Sequence, residues 1–165
     1  MKRFQDLPDI VLGPLADRPD DDWQRAPAGK WTPAQIVEHL ALALEWCATG
    51  FEERRARDPM VRRPATLPQR AAKLFVMGIG WFPPGLRAPE RSTPPPHVDR
   101  VAAEAHFRRG VERTEEMARL LLPARARDLF VKHIRLGELT LPEWMEFHVI
   151  HARHHARQIR SRLRR

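Results

Sequence analysis

The sequence predicts an all-α protein, a four-helix bundle with long crossover connections. Four stretches carry apolar residues at helical spacing, the two that bear most of the histidines open on Thr/Pro helix-start signals, and no strand-like alternation competes with them. At 165 residues the chain reads as a single domain over 1–165, long enough to bury a continuous core without disulfides or structural zinc clusters.

Residues 1–30 read as an irregular, partly extended lead-in, because Pro8, Gly13, Pro14, Pro19, Pro27 and Gly29 interrupt any long helix; one short helical turn fits Asp20 to Arg25. Thr32-Pro33-Ala34-Gln35 then supplies a capping box: a threonine cap, proline at the first helical position and a glutamine reaching back. The helix it opens should run to about Arg57, with Ile36, Leu40, Ala43, Cys47 and Phe51 on its apolar face and His39 on the flank. Residues 58–66, with Pro59 and Pro64, form a connection. The stretch LPQRAAKLFVMGIGWF (67–82) predicts a second helix, apolar nearly all round in its later half, as suits a helix covered on several sides or docked at a subunit contact. The proline-rich 83–97 segment is irregular, a surface crossing or an active-site flap. A third helix follows from Val98 to Leu122, amphipathic and ended by Pro123, and 124–139 reads as a connection anchored by Phe130 and Ile134, with a turn at Gly137. Thr140-Leu141-Pro142-Glu143 is a second capping box, opening a fourth helix that continues to about Leu163.

That last helix concentrates the chemistry, with four histidines in FHVIHARHHARQI (147–159). At ~100° per residue His148, His151 and His155 fall within roughly 60° of one another, while His154 lies well round the cylinder. Trp144, Ala152 and Ile159 share the histidine arc, and Arg153, Arg157, Arg160 and Arg164 occupy the other side, so the histidines face inward. An inward imidazole must satisfy its nitrogens through hydrogen bonds in the core or through a metal, and an i,i+4 pair lets two rings meet one divalent ion.

Composition narrows the function classes. The formal charge of +8 permits nucleic-acid or membrane-surface binding, but the arginines are scattered, few aromatics interleave with them and no reading helix is recognisable, so nucleic acid is not the expected partner. A single cysteine, Cys47, excludes an internal disulfide and fits a reducing compartment; it reads as core packing rather than a nucleophile. MKRFQDLPDI lacks a secretory apolar core and no apolar run reaches ~18 residues, so a cytoplasmic protein outside the membrane is expected.

The run Trp31-Thr32-Pro33-Ala34-Gln35-Ile36-Val37-Glu38-His39-Leu40, followed much later by His151-Ala152-Arg153-His154-His155-Ala156-Arg157-Gln158-Ile159, resembles the DinB/YfiT-like superfamily of bacterial bundle proteins. In that superfamily a Trp precedes the first long helix, a core-facing His follows it, and His-x-x-x-His with a Gln lies in the last helix, the three histidines binding a divalent metal. The resemblance covers most of the chain from Trp31 onward. It implies His39, His151 and His155 as ligands, with His148 and His154 as supporting or surface residues. Zinc is the first expectation for the ion, with nickel, iron and manganese the alternatives. It also implies a four-helix bundle, frequent homodimers, and a metal-dependent hydrolase or a transferase using a low-molecular-weight thiol, acting on a small-molecule substrate. The chain departs from the pattern in its long proline-rich 83–97 segment and its arginine content.

For a metalloenzyme the general-base candidates are Glu38, Glu45, Glu146 and His148. The rival expectation is a non-enzymatic bundle whose histidines hold a structural ion or bond one another, with the apolar 74–82 stretch serving association in either case.

Overall fold

The computed structural model describes residues 2–83, 85 and 87–164 and is mostly helical, with one small antiparallel sheet. Met1, Pro84, Leu86 and Arg165 lie outside the described residues, two of them within the proline-rich segment expected to be irregular. In chain order the elements are α1 (Lys2–Gln5), α2 (Leu7–Leu12), α3 (Asp20–Gln24), α4 (Pro33–Arg54), α5 (Leu67–Lys73), α6 (Arg100–Arg125), β1 (Leu129–His133), β2 (Gly137–Thr140) and α7 (Leu141–Leu163). Short 3-10 turns follow α2 and precede α6, and a π-helical turn, Leu74–Gly78, continues α5.

Both predicted capping boxes form. Thr32 Oγ1 accepts from the Gln35 N–H at 3.2 Å while Gln35 Oε1 accepts from the Thr32 N–H at 3.0 Å, and Glu143 accepts from the Thr140 N–H at 2.8 Å. Thr66 and Gln69 make a third box at the start of α5. These reciprocal bonds satisfy otherwise orphaned donors and fix where α4 and α7 begin.

Four expectations are corrected. The lead-in is helical and buried rather than extended: Phe4, Leu7, Val11 and Leu15 form one apolar stripe across α1, α2 and the following turn, packed on α6 and α7. Pro8 and Pro14 sit in the first positions of their elements, where a missing N–H costs nothing, so they start helices instead of breaking them. Pro123 lies inside α6, which ends at Arg125. The second predicted helix changes to π geometry at Leu74 and stops before Trp81; only Val76 of its apolar half is buried, whereas Leu74, Phe75, Ile79 and Trp81 are exposed. Finally, 124–139 is no mere connection. Leu129, Phe130 and Val131 are buried in β1, which pairs with β2 through Leu129 opposite Thr140, Lys132 opposite Glu138 and His133 opposite Gly137, with a register shift between Leu129 and Lys132, and Gly137 takes the positive φ of 76° that the tight return requires.

The hairpin positions the last helix. β2 ends at Thr140, the cap of α7, and Trp144 Nε1 donates to the Val131 carbonyl at 3.1 Å. On the other side α4 packs along α6, where a Cβ at Gly110 would come within 3.2 Å of Leu44 Cβ. Glycine there lets the two helices approach closely.

Candidate metal centre

His39 projects from α4 and His151 and His155 from successive turns of α7, and the structure brings the three together. His151 Nε2 lies 3.2 Å from His39 Nε2 and 3.0 Å from His155 Nε2. His39 and His155 are buried, and His151, intermediate in exposure as a whole residue, turns a buried ring nitrogen into the same site.

The far sides of two rings are already committed. His39 Nδ1–H donates to the Ser92 carbonyl at 2.6 Å, and His155 Nδ1–H donates to Gln158 Oε1 at 2.8 Å. A neutral imidazole that donates from Nδ1 has a bare lone pair on Nε2. Two such lone pairs therefore converge on His151, whose single Nε2 proton serves at most one of them. His151 Nδ1 is itself buried without a partner. Buried lone pairs pointed at one another leave acceptors unsatisfied at about 1–3 kcal/mol each, and a cation at their focus removes that conflict. Two nitrogens at 2.0–2.1 Å from a tetrahedral zinc are separated by ~3.3 Å, close to the spacings found here, so the residues fit the ion.

Electrostatics keep the donors neutral, the form a metal needs. Burial lowers the His39 pKa below the ordinary histidine range, opposed by its bond to Ser92. Burial, then the neighbouring histidines, hold His151 and His155 well below that range.

Around the centre lies a cavity of about 1060 Å³, lined by aromatic rings and by the remaining α7 histidines. Phe147 stacks on His151 at 5.3 Å, and Phe82, from the segment after the π-helical turn, covers His154 at 4.6 Å and His151 at 5.8 Å. His154 stands beside the centre without joining it; its Nε2 accepts from the Gln158 amide at 3.0 Å. His148 is buried, so the surface alternative does not hold for it. Its pKa is pushed down to about 3 by burial and then by His133, and its Nε2 has no partner.

Of the general-base candidates only His148 reaches this cavity. Glu38 and Glu45 bond His106 on another face of α4, and Glu146 is exposed and does not line it. Cys47 is fully buried in the core, which pushes its thiol pKa well up and leaves it inert. Among the described residues no Cys, Asp, Glu or further His joins the three-histidine group.

Sequence reasoning missed three contributors. Gln158 orients His155, a role its place in the motif does not reveal. The Ser92 carbonyl, from within the proline-rich segment, fixes His39, and a backbone acceptor leaves no signal in the sequence. His133 lines the cavity from the end of β1, and the apolar Leu129-Phe130-Val131 run was the signal for the strand that carries it.

The model of the DUF1569 family, described as a protein of unknown function, matches residues 20–162, and the chain belongs to that family. No curated protein and no solved structure matches it.

Proposed function

We propose that this member of the DUF1569 family is a divalent-metal-dependent enzyme acting on a small molecule, either a hydrolase or a transferase that uses a low-molecular-weight thiol. His39, His151 and His155 would hold the ion, zinc first among the candidates ahead of nickel, iron and manganese. The observation that carries the reading is the convergence of three Nε2 atoms, two of them stripped of their proton by the Ser92 and Gln158 bonds on the opposite nitrogens. Three protein donors beside a large cavity favour a catalytic over a structural ion, which closes its coordination with a fourth side chain. Such an ion supplies Lewis acidity when bound. The chain's own part is to shield the centre with Phe82, Phe147 and the cavity-lining Trp31 and Trp144, to hold the imidazoles neutral, and to set their tautomers.

The same reading takes the chain as a relative of the DinB/YfiT-like superfamily with its four-helix arrangement. The packing of α4, α6 and α7 with the N-terminal helices supports it, as does the match to the Trp/His and His-x-x-x-His pattern. Among the described residues no helix is long and apolar enough to cross a membrane, and with the buried, unpaired Cys47 this supports a cytoplasmic setting. The exposed Leu74, Phe75, Ile79 and Trp81 are proposed as a contact with a second copy of the chain. A monomer mass by light scattering at micromolar concentration would remove that part.

The central test is metal analysis of protein purified without an affinity tag. One ion per chain is expected, falling to near none in His151→Ala and in His155→Ala. Wild-type protein that takes up no zinc, nickel, iron or manganese on dialysis would overturn the proposal.

A further inference from the structure

The cavity beside the histidines is unusual in its charge. Five cationic side chains line it, Lys30, Arg87, Arg91, Arg135 and Arg162, and among its described lining residues there is no Asp or Glu, although the chain holds 21 acidic residues. Nor does any of the five take part in an ion pair among the described residues, where arginines elsewhere on the molecule are paired repeatedly. A wall of uncompensated cations costs self-repulsion. An anionic ligand relieves it.

Two of these side chains are held in place. The guanidinium of Arg91 lies over the Trp46 ring, 3.8 Å from its centroid, which fixes its plane and leaves its N–H edges for an acceptor. Arg135 donates to the Arg87 carbonyl at 3.1 Å. Trp46, under Arg91, meets Trp144 edge-on at 5.9 Å, Trp144 lies 5.4 Å from the His133 ring, and the Arg135 N–H bonds that ring, so the two arginines border one stretch of wall around His133. His133 adds a neutral donor: its Nδ1 accepts from the backbone N–H groups of Arg135 at 3.1 Å and Leu136 at 3.0 Å, so the ring proton sits on Nε2. Trp31, Trp144 and Phe147 supply apolar surface in the same chamber.

We propose that this wall is an anion subsite, in which Arg91 and Arg135 hold the carboxylate or phosphate group of a small organic anion whose apolar body lies against the indoles. The inference rests on the reading of the cavity as the substrate chamber of the metal centre, but not on the ion itself. Two guanidinium groups bind either oxyanion through paired N–H donors, and the headgroup is decided by experiment.

The test uses the full chain, once after chelator treatment and once loaded with zinc, titrated by calorimetry with naphthalene-1-phosphonate, 1-naphthoate and the neutral 1-naphthol. At least one of the anions is expected to bind roughly tenfold or more tightly than 1-naphthol in the chelated protein, and the tighter of the two identifies the headgroup. Arg91→Gln and Arg135→Gln should each cost the anion about tenfold and leave 1-naphthol unchanged, while Arg153→Gln, outside the cavity, changes neither. Thermal melts show whether each variant is folded, and Arg91→Lys, which keeps the charge, should retain part of the anion affinity. Equal affinity for anions and 1-naphthol, or no anion binding up to the solubility limit, overturns the subsite. So does loss of 1-naphthol together with the anion in folded Arg91→Gln. The two readings fail separately: zinc uptake without anion binding sinks the subsite alone, and Arg91-dependent anion binding in a protein that takes no metal sinks the metal centre alone.

Discussion

Helix α4 presents histidine chemistry on two sides, and the two sites differ in every respect that matters to an ion. On one side His39 meets His151 and His155 in a chamber whose described lining has no carboxylate. On the other, Glu38 and Glu45 grip His106 of α6: its Nδ1 lies 3.0 and 3.2 Å from the two Glu38 oxygens and its Nε2 3.2 Å from Glu45. That pair borders a smaller cavity of about 590 Å³ with Asp99, Arg109 and Arg113. Both nitrogens of His106 are spoken for by charged acceptors, so the ring ties α6 to α4. The rings of the first site each keep one nitrogen turned toward the others. The residue type is the same, and the partner on the second nitrogen decides between a strut and a ligand.

The sharpest way to break this contrast is to delete one histidine from each side. His39→Ala should abolish stoichiometric metal binding, since the two α7 rings alone offer an incomplete donor set, whereas His106→Ala should keep about one ion per chain. Elemental analysis of the two untagged variants decides it. Equal loss in both would mean that His39 matters through packing.

A smaller effect is expected one bond further out. Gln158→Leu removes the acceptor that fixes the His155 tautomer and should weaken metal affinity by roughly 10–100-fold without changing the stoichiometry at saturation. Glu38→Gln, which alters the acceptor on His106, should leave it unchanged. A competition titration against a zinc-binding dye measures both, and an unmoved Gln158→Leu would show that His155 is oriented by packing alone.

The contrast extends to acid. His148 has a folded pKa of about 3 against an ordinary value of 6.5, lowered by burial, so the unfolded chain binds its proton first as the pH falls. Stability from this group is therefore complete above about pH 6.5 and is lost as the pH falls toward the depressed folded value. Between pH 7.5 and 5 the loss for metal-free protein should be on the order of 2 kcal/mol from this residue, at 1.36 kcal/mol per pH unit. His148→Phe should remove that part of the slope in urea unfolding curves. Identical slopes in the two proteins would mean that His148 is protonated in the fold or reached by water.

Much of the fold was legible because it rests on local rules. The Thr32 and Thr140 boxes announce their helices in four residues each, and the apolar spacing of Ile36, Leu40, Cys47 and Phe51 gives the buried face of α4. What escaped depends on distant partners. Pro8 and Pro14 look like breakers until their positions within an element are known, and β1 is a short run whose pairing with β2 no periodicity announces. The spacing of His151 and His155 was readable as one helix face, but His39 could be joined to them only through a family resemblance. The Ser92 carbonyl, Arg87 and Arg91 belong to a segment without periodicity, where composition says only that the chain is irregular, and Arg135 joins them from the turn between β1 and β2, which no local pattern brings to that wall.

The smallest expected effect concerns His154, which adjoins the centre in sequence and in space yet contributes no ligand atom. Its Nε2 accepts from the Gln158 amide, whose oxygen in turn receives the His155 proton, so it stands two bonds from the nearest ligand. His154→Ala removes that acceptor, but the residue is partly exposed and water can take its place at the amide. The net worth of such a bond is about 0.5–1.5 kcal/mol, and only part of it is felt through Gln158 at the ion. Metal content should stay at wild-type level and affinity should fall by roughly threefold at most. The same dye competition compares His154→Ala with Gln158→Leu directly. A loss in His154→Ala as large as that in Gln158→Leu would mean that the amide is steered from the His154 side, and that the orienting chain behind His155 is one residue longer.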